Sequence, residues 1–188
     1  PVNVEGETAG NLLNIVTPLH QRARRDYLGR MNDDKAGCMK IARQYGKEYW
    51  DGDRRYGYGG YRYDGRWAPV ARALIERYGL SEKTSILDVG CGKGFLLHEF
   101  KKCLPKATVR GFDISPYAIE NAKEEIHEHL FVHPAEEPYP FEEKAFDLVV
   151  SLTTLYNLPI QKLRRALQEI ERVGKQKYIT LESFRNEA

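Results

Sequence analysis

Three glycines at alternate positions, preceded by an acid, are the residues of this sequence whose spacing points most directly to chemistry. Gly90, Gly92 and Gly94 follow the apolar run 86–89, in which Asp88 is the charged residue. Glycine has no Cβ, so such a turn lets the main chain approach a ligand closely. The pattern predicts a buried strand that turns into a helix, and the first N–H groups of that helix are available to an electronegative ligand.

The residues around the turn distinguish between the ligands that it could hold. A P-loop needs Ser or Thr after its Lys, and here Lys93 is followed by Gly94. A dinucleotide turn has the spacing G-x-G-x-x-G, whereas this one has G-x-G-x-G. The carboxylate of Asp88 would repel a pyrophosphate and suits a ligand with a positive amino group. The alternative is a tight turn without a ligand, although a buried Asp without a partner is costly.

A second acid, Asp113, closes the run 107–113, which predicts the next strand. It follows Gly90 by 23 positions. In Rossmann-like sheets an acid about 20 residues after the first glycine accepts hydrogen bonds from ribose hydroxyls. One carboxylate takes two hydroxyl donors at once, so Asp113 predicts a nucleoside with an unphosphorylated ribose. A capping or turn acid is the alternative.

From about residue 86 to residue 183 the sequence resembles the class I S-adenosylmethionine (SAM) methyltransferases. The resemblance implies an α/β fold, with a Rossmann-like doubly wound sheet, and SAM as the cofactor. Pro134 replaces the acid that in the family contacts the adenine amino group, so main-chain groups of the next two residues are expected there. The residues that the resemblance assigns to the cofactor are Asp88, Gly90, Cys91, Gly92, Asp113, Ile114, Ala135, Glu136 and Ser151.

Two stretches are expected to meet the methyl acceptor. In many small-molecule methyltransferases two His follow the fourth strand, and here Tyr156 and Asn157 take their places. We expect Tyr156 to orient the acceptor, because a phenol is a poor base at neutral pH. The stretch 49–67 is rich in Tyr, Gly and Arg, has no helical or strand period, and is expected to bind or cover something. Its candidate acceptor-binding residues are Tyr58, Tyr61, Arg62 and Trp67.

The elements that position these residues follow from apolar periodicity and from capping residues. Strands are predicted at 86–89, 107–113, 130–132, 145–151 and 178–182, and helices at 35–45, 68–79, 116–127 and 160–173. Residues 11–16 and 19–28 have apolar residues at mixed helical spacing. We therefore expect an N-terminal helical and Tyr-rich lid over residues 1–67 and a SAM-binding core over residues 68–188. The family fold ends in two further strands that are not found here, so the open sheet edge favours a homo-oligomer.

Composition bounds the class of protein. The chain has 188 residues and a net charge of +2, which fits one domain with an appended segment and makes nucleic acid an unlikely partner. Its three cysteines have no metal-ligand spacing, fit reduced thiols, and indicate a cytoplasmic protein without a bound metal. No apolar run is long enough to cross a membrane.

These patterns together predict a SAM-dependent methyltransferase acting on a small-molecule acceptor by in-line displacement. The arginines of the stretch 49–67 favour an anionic or sugar-bearing acceptor. Two alternatives remain open. Residues 20–66 carry twelve Lys and Arg against seven Asp and Glu, which would suit RNA or protein as the acceptor. The chain could also be a non-catalytic SAM-binding partner subunit.

Overall fold

The fold is built on one parallel sheet. The computed structural model describes residues 15–16 and 34–181, so the predicted helices at 11–16 and 19–28 lie outside the described residues except for Ile15 and Val16. The strand order is β3-β2-β1-β4-β5, and every pairing is parallel. The strands are β1 Ser85–Val89, β2 Thr108–Asp113, β3 Leu130–Val132, β4 Phe146–Ser151 and β5 Gly174–Ile179. The order reverses between β1 and β4, which is where such sheets bind ligands.

Helices flank the sheet. Asp34 caps the first helix, since its carboxylate accepts a hydrogen bond from the N–H of Gly37 at 3.0 Å. Gly79 ends the third in the left-handed conformation, with φ of 61°. In chain order the helices are α1 Lys35–Ala42, α2 Lys47–Trp50, α3 Ala68–Tyr78, α4 Phe95–Cys103, α5 Pro116–Glu120, α6 Glu124–His127 and α7 Ile160–Val173, and a 3₁₀ turn spans Leu155–Asn157.

The apolar side chains of the central strand serve two separate cores. Ile86 packs into a cluster with residues of α3 and α4, whereas Leu87 and Val89 pack into a cluster with residues of α7. Alternate strand residues face opposite sides of a sheet, so both faces of β1 are buried. The predicted doubly wound α/β fold is thereby confirmed.

Three predicted elements had wrong boundaries. The helix expected over 35–45 ends at Ala42. The helix expected over 116–127 is split into α5 and α6, because Asn121 ends α5 and its side-chain amide donates to the carbonyl oxygen of Tyr117 at 2.8 Å. The fifth strand starts at Gly174 and not at Tyr178. Gly174 follows the last residue of α7, and its backbone is extended and not left-handed. A Cβ at this position would lie 2.6 Å from a methyl of Val149. Its missing side chain allows close approach to β4.

The sheet has an edge at β5. Within residues 34–181 this strand pairs with β4 on one side and with no strand on the other. Association of two copies through this edge stays a prediction. None of the helices in the described part of the chain is long and apolar enough to cross a membrane.

Candidate functional site

The glycine turn joins β1 to α4 at the carboxyl edge of the sheet. Gly90 and Gly92 have φ of 78° and 56°, values that favour glycine. A Cβ on Gly90 would lie 2.1 Å from Oγ1 of Thr154, and one on Gly92 would lie 2.8 Å from the ring of Trp50. The turn is therefore packed tightly between the segment after β4 and the N-terminal segment.

Asp113 ends β2 beside the turn and is held by two main-chain donors. The N–H of Gly92 donates to its Oδ2 and the N–H of Ser115 to its Oδ1, both at 2.9 Å. Burial raises the pKa of this carboxyl, and its main-chain hydrogen bonds oppose the rise. A carboxylate has about four acceptor positions, so Asp113 retains the capacity to accept hydroxyl donors from a ligand.

Asp88 lies within β1, and only 4% of its surface is exposed. Burial, followed by the charge of Asp113, raises its pKa to about 8. The carboxyl therefore holds a proton for much of the time near neutral pH. A cation bound beside it would favour the ionised form.

Aromatic rings from the N-terminal segment lie over the glycine turn. The indole of Trp50 stacks on the ring of Tyr58, with centroids 5.2 Å apart and planes 10° apart. Its Nε1 donates to the carbonyl oxygen of Tyr45 at 3.0 Å and to Oγ of Ser115 at 2.9 Å. The group is referred to as the aromatic cover, and it consists of Tyr45, Tyr49, Trp50, Tyr58 and Tyr61.

A partly buried ion pair joins the aromatic cover to the glycine turn. Nζ of Lys93, in the turn, lies 2.7 and 2.9 Å from the two carboxylate oxygens of Asp51. The hydroxyl of Tyr117 donates to the same carboxylate at 2.8 Å. Burial opposes ionisation, but the hydrogen bonds from Lys93 and Tyr117 hold the pKa of Asp51 below its ordinary value. Lys93 thus binds the cover and not a phosphate.

Two neighbouring compartments lie at this edge of the sheet, and they are referred to together as the cleft; Gly90 lines both. Trp50, Tyr58 and Thr153 line both. The Asp113 compartment is also lined by Tyr45, Tyr49, Gly90, Asp113, Ile114, His133, Ala135, Glu136, Thr154, Asn157 and Leu158. The Asp88 compartment is also lined by Tyr61, Trp67, Asp88, Gly90, Cys91, Gly92, Leu96 and Leu152.

The lining of the cleft is acidic and aromatic. Asp88, Asp113 and Glu136 contribute carboxyl groups, and no Lys or Arg of residues 34–181 lines either compartment. Burial raises the pKa of Tyr49 and of Tyr61, so these phenols stay neutral at physiological pH. The cleft therefore favours a neutral or positively charged ligand.

Backbone strain marks the floor of the cleft. Thr153, a β-branched residue, has φ of 58°, which is costly for such a side chain. It is held there by a hydrogen bond from its N–H to Oγ1 of Thr180 at 2.9 Å. Strained backbone of this kind concentrates at ligand sites.

Comparison with known proteins identifies the family. A family model described as a methyltransferase domain matches residues 86–177, about half of the chain, and this stretch contains the glycine turn, Asp88 and Asp113. The chain belongs to the class I methyltransferases. The cofactor of these enzymes is SAM, as the resemblance implied.

Curated relatives match this methyltransferase over a part of their length. The mouse protein named arginine-hydroxylase NDUFAF5, mitochondrial, is 37% identical over 92 residues, which is 47% of this chain and 25% of the relative. Malonyl-[acyl-carrier protein] O-methyltransferase 1 of Ilyobacter polytropus is 29% identical over 111 residues, 54% of this chain and 40% of the relative. The chain thus spans less than half the length of either relative.

A solved structure shares the fold over a longer stretch. It is a SAM-dependent methyltransferase from Methanococcus maripaludis, with a TM-score of 0.51 and 20% identity. The similarity covers 92% of this chain and 67% of that one. At this identity the match speaks for the fold alone.

The residues of this methyltransferase cleft fit SAM. The cofactor offers ribose hydroxyls, a purine, a sulfonium, and an ammonium group beside one carboxylate. The cleft offers carboxyl groups and aromatic walls, and no Lys or Arg is among its described lining residues. Glu136 adds an acceptor in the Asp113 compartment. Nζ of Lys162 donates to Oε1 of Glu136 at 2.6 Å. Oε2 of Glu136 is buried without a hydrogen-bond partner in the described part of the chain.

The structure brings most of the predicted site residues together in this cleft. Three do not line it. Ser151 is fully buried, and its Oγ donates to the carbonyl oxygen of Val89 at 2.9 Å, so it joins β4 to β1. Tyr156 is 42% exposed, and Arg62 is also exposed. The roles assigned to these three residues stay predictions. The predicted residues that line the cleft are Asp88, Gly90, Cys91, Gly92, Asp113, Ile114, Ala135, Glu136, Tyr58, Tyr61, Trp67 and Asn157.

Sequence reasoning missed several residues that line or support the site, among them Trp50, Lys93 and Thr153. Trp50 stood in the aromatic stretch, and its position beside Tyr49 was a usable signal. Lys93 was excluded as a phosphate ligand, but nothing in the sequence paired it with Asp51. The strained φ of Thr153 leaves no trace in its residue type. The described residues contain no group of three His, Cys, Asp or Glu side chains placed to hold a metal ion.

Proposed function

We propose that this protein binds SAM across the two compartments and transfers its methyl group to a small-molecule acceptor. The observation that carries the proposal is the pair of buried carboxyl groups on neighbouring strands, with the glycine turn beside them. Asp88 in β1 pairs in register with Gly111 in β2, two residues before Asp113. This arrangement suits a ligand with hydroxyl donors on one side and a positive charge on the other.

Each compartment would hold one end of the cofactor. In the Asp113 compartment, Asp113 would accept hydrogen bonds from both ribose hydroxyls. Ile114 is 48% exposed there and would cover one face of the purine. In the Asp88 compartment, the Asp88 carboxyl would lie near the ammonium group of the amino-acid end. Burial of both carboxyl groups strengthens these interactions because water does not screen them.

The chain has mainly to position the acceptor and to exclude water. Bound SAM supplies a methyl group that the sulfonium has already activated. The aromatic cover would shield the reacting atoms, and alignment at close range supplies much of the rate enhancement. Asn157 lines the cleft, and its amide nitrogen donates to the carbonyl oxygens of Thr153 and Thr154. Its amide oxygen would then orient a donor group of the acceptor.

The charge of the cleft bears on the acceptor. The arginines of the stretch 49–67 favoured an anion, yet two of them have partners at the surface. Arg54 donates to the carbonyl oxygens of Gly57 and Tyr58, and Arg66 forms an ion pair with Asp64. Because the lining itself is acidic, we propose a neutral or positively charged acceptor, such as an amine.

A second candidate is modification of a protein-borne arginine. The 37% identity with the mouse protein named arginine-hydroxylase favours it. An arginyl side chain would carry a positive charge into the same acidic cleft. Transfer of labelled methyl groups to arginine-containing peptides, with no transfer to small amines, would replace the small-molecule proposal by this one.

Isothermal titration of the full chain with SAM and with S-adenosylhomocysteine tests the proposal. We expect both to bind with one site per chain. Mass spectrometry of reactions with a panel of small amines and alcohols should then reveal a gain of 14 mass units, one added methyl in place of a hydrogen. Lack of binding at high micromolar protein would overturn the cofactor assignment. Binding without transfer to any acceptor would favour a non-catalytic SAM-binding subunit.

A further inference from the structure

We propose that Trp50 and Tyr58 form the binding site for the positively charged sulfonium of SAM, so that the cleft holds the charged donor more tightly than the neutral product. This inference rests on the proposed function and assigns the middle of the cofactor to two side chains outside the family motif. The proposed interaction raises the affinity of the cleft for the positively charged sulfur. It is separate from the hydrogen bonds that would hold the ribose.

The position of the two rings follows from the shape of the cleft. Trp50 and Tyr58 line both compartments, and Gly90 also borders both. SAM has its nucleoside at one end, its amino acid at the other and the sulfonium between them. With the ribose at Asp113 and the amino acid near Asp88, the sulfonium lies at the junction where the two rings stand.

The rings are held in place before a ligand arrives. The Trp50 indole is fixed by its two hydrogen bonds, to Tyr45 and to Ser115, and its stack with Tyr58 is nearly parallel. Tyr49 packs edge-on against both rings, with centroid distances of 5.2 and 5.4 Å. A receptor that is already ordered loses little conformational freedom on binding, so more of its interaction energy appears as affinity.

The surroundings select positive charge. Aromatic faces attract cations, and the attraction grows when water is excluded. No Lys or Arg in the described part of the cleft lining competes for these faces. Lys93, the lysine of the glycine turn, is paired with Asp51 and is only 5% exposed. Asp88 adds a carboxyl group on the same side.

Methyl transfer changes the charge of the ligand. The methyl group leaves with a new bond to the acceptor, and the electron pair of the broken C–S bond stays on sulfur. The sulfonium becomes a neutral thioether, whereas the ribose, purine and amino acid remain as they were. Only contacts that depend on the sulfonium weaken, so Trp50 and Tyr58 would favour release of the product over release of the donor.

The experiment compares three ligands on the full chain by isothermal titration. SAM carries the sulfonium, S-adenosylhomocysteine is neutral at sulfur, and sinefungin carries a protonated amine in its place. We expect Tyr58→Leu to weaken binding of SAM and sinefungin by about five- to tenfold and binding of S-adenosylhomocysteine by less than about twofold. Tyr58→Phe keeps the ring and should preserve the preference for the charged ligands.

Two further variants provide a control and a test of the second ring. Tyr56→Leu removes a tyrosine of the same stretch that lines neither compartment, and it should leave all three affinities unchanged. Trp50→Leu tests the second ring, with thermal unfolding measured to establish that the variant is folded. It should lose the same preference for charge as Tyr58→Leu.

The outcomes separate this inference from the proposed function. If the unaltered chain binds none of the three ligands, the proposed function fails. If it binds all three and Tyr58→Leu weakens them by the same factor, the sulfonium assignment is overturned and the proposed function stands. A change in the ratio of SAM to S-adenosylhomocysteine affinity that Tyr58→Phe does not share supports the assignment.

Discussion

The glycine turn and the aromatic cover build one cleft, but they are held in different ways. Asp88 and Asp113 lie within strands, and main-chain N–H groups bind Asp113 directly. Trp50 and Asp51 are held by side-chain bonds to residues 65 and 42 positions away in the sequence. One wall is therefore a consequence of the sheet, and the other exists only when distant side chains meet.

This difference in construction implies a difference in local stability. Opening the glycine turn would disrupt the pairing of β1 with β2 and β4. Opening the aromatic cover would break a few side-chain bonds and expose rings, at a smaller cost. Segments with few such attachments open first and often carry ligand entry. Substitutions at four places, namely Asp113, the Asp51–Lys93 pair, Asp88 and Arg62, test this comparison, from the largest expected effect to the smallest.

Asp113→Ala should have the largest effect on binding. Hydrogen bonds to a charged group contribute about 1.5–3 kcal/mol each, and two from the ribose would be lost. We expect the affinity for S-adenosylhomocysteine, measured by titration, to fall by at least about 100-fold. The variant should also unfold at lower urea, because the N–H groups of Gly92 and Ser115 lose their acceptor. Unchanged affinity would remove Asp113 from the ribose site.

The wall of the cleft that consists of the glycine turn, Asp88 and Asp113 was predictable from sequence, whereas the aromatic cover was not. An apolar run, alternate glycines and an acid about 20 residues later carry their structural meaning in residue type and spacing. The bond from Trp50 to Ser115 and the pair of Lys93 with Asp51 depend on tertiary contacts that no local pattern specifies. The prediction of where β5 starts was wrong for the same reason, because the close approach of Gly174 to Val149 is a contact between strands.

The ion pair of the cover should show an asymmetric response. Asp51→Asn leaves Lys93, whose side chain is 6% exposed, without a charged partner, and we expect a loss of about 3 kcal/mol in the free energy of unfolding. Lys93→Met leaves a carboxylate that still accepts from Tyr117, so about 1 kcal/mol is expected. Urea denaturation measures both.

The exchanged pair, Asp51→Lys with Lys93→Asp, distinguishes a specific contact from general polarity. It should recover part of the stability lost in Asp51→Asn and slow the dissociation of S-adenosylhomocysteine toward that of the unaltered chain. Equal losses in the two single variants, without recovery in the exchange, would show that the pair does not fasten the cover.

The ionisation of Asp88 should couple ligand binding to pH. Its pKa of about 8 lies above the value of an unfolded Asp, so the folded chain holds one more proton between about pH 4 and 8. In that window, rising pH lowers the free energy of unfolding of the unliganded chain, by about 1.4 kcal/mol per pH unit for this group. Asp88→Asn should remove this slope, as urea denaturation at several pH values would reveal.

A positively charged ligand reverses the preference of Asp88 for its proton. We expect binding of SAM at pH 7 to release close to one proton, and its affinity to increase as the pH rises toward 8. Titration in phosphate and in Tris, which differ in heat of ionisation, measures that proton. Proton release that persists in Asp88→Asn would assign it to another group.

Arg62→Ala should have the smallest effect and separates the two sides of the aromatic cover. Arg62 is exposed and lines neither compartment, so the affinity for S-adenosylhomocysteine should change by less than about twofold and the free energy of unfolding by less than about 0.5 kcal/mol. The informative measurement is methyl transfer. A raised KM for the acceptor with unchanged cofactor affinity would place the acceptor's approach on the outer face of the cover. An unchanged KM would confine the acceptor to the acidic interior of the cleft, where only neutral or positive groups are favoured.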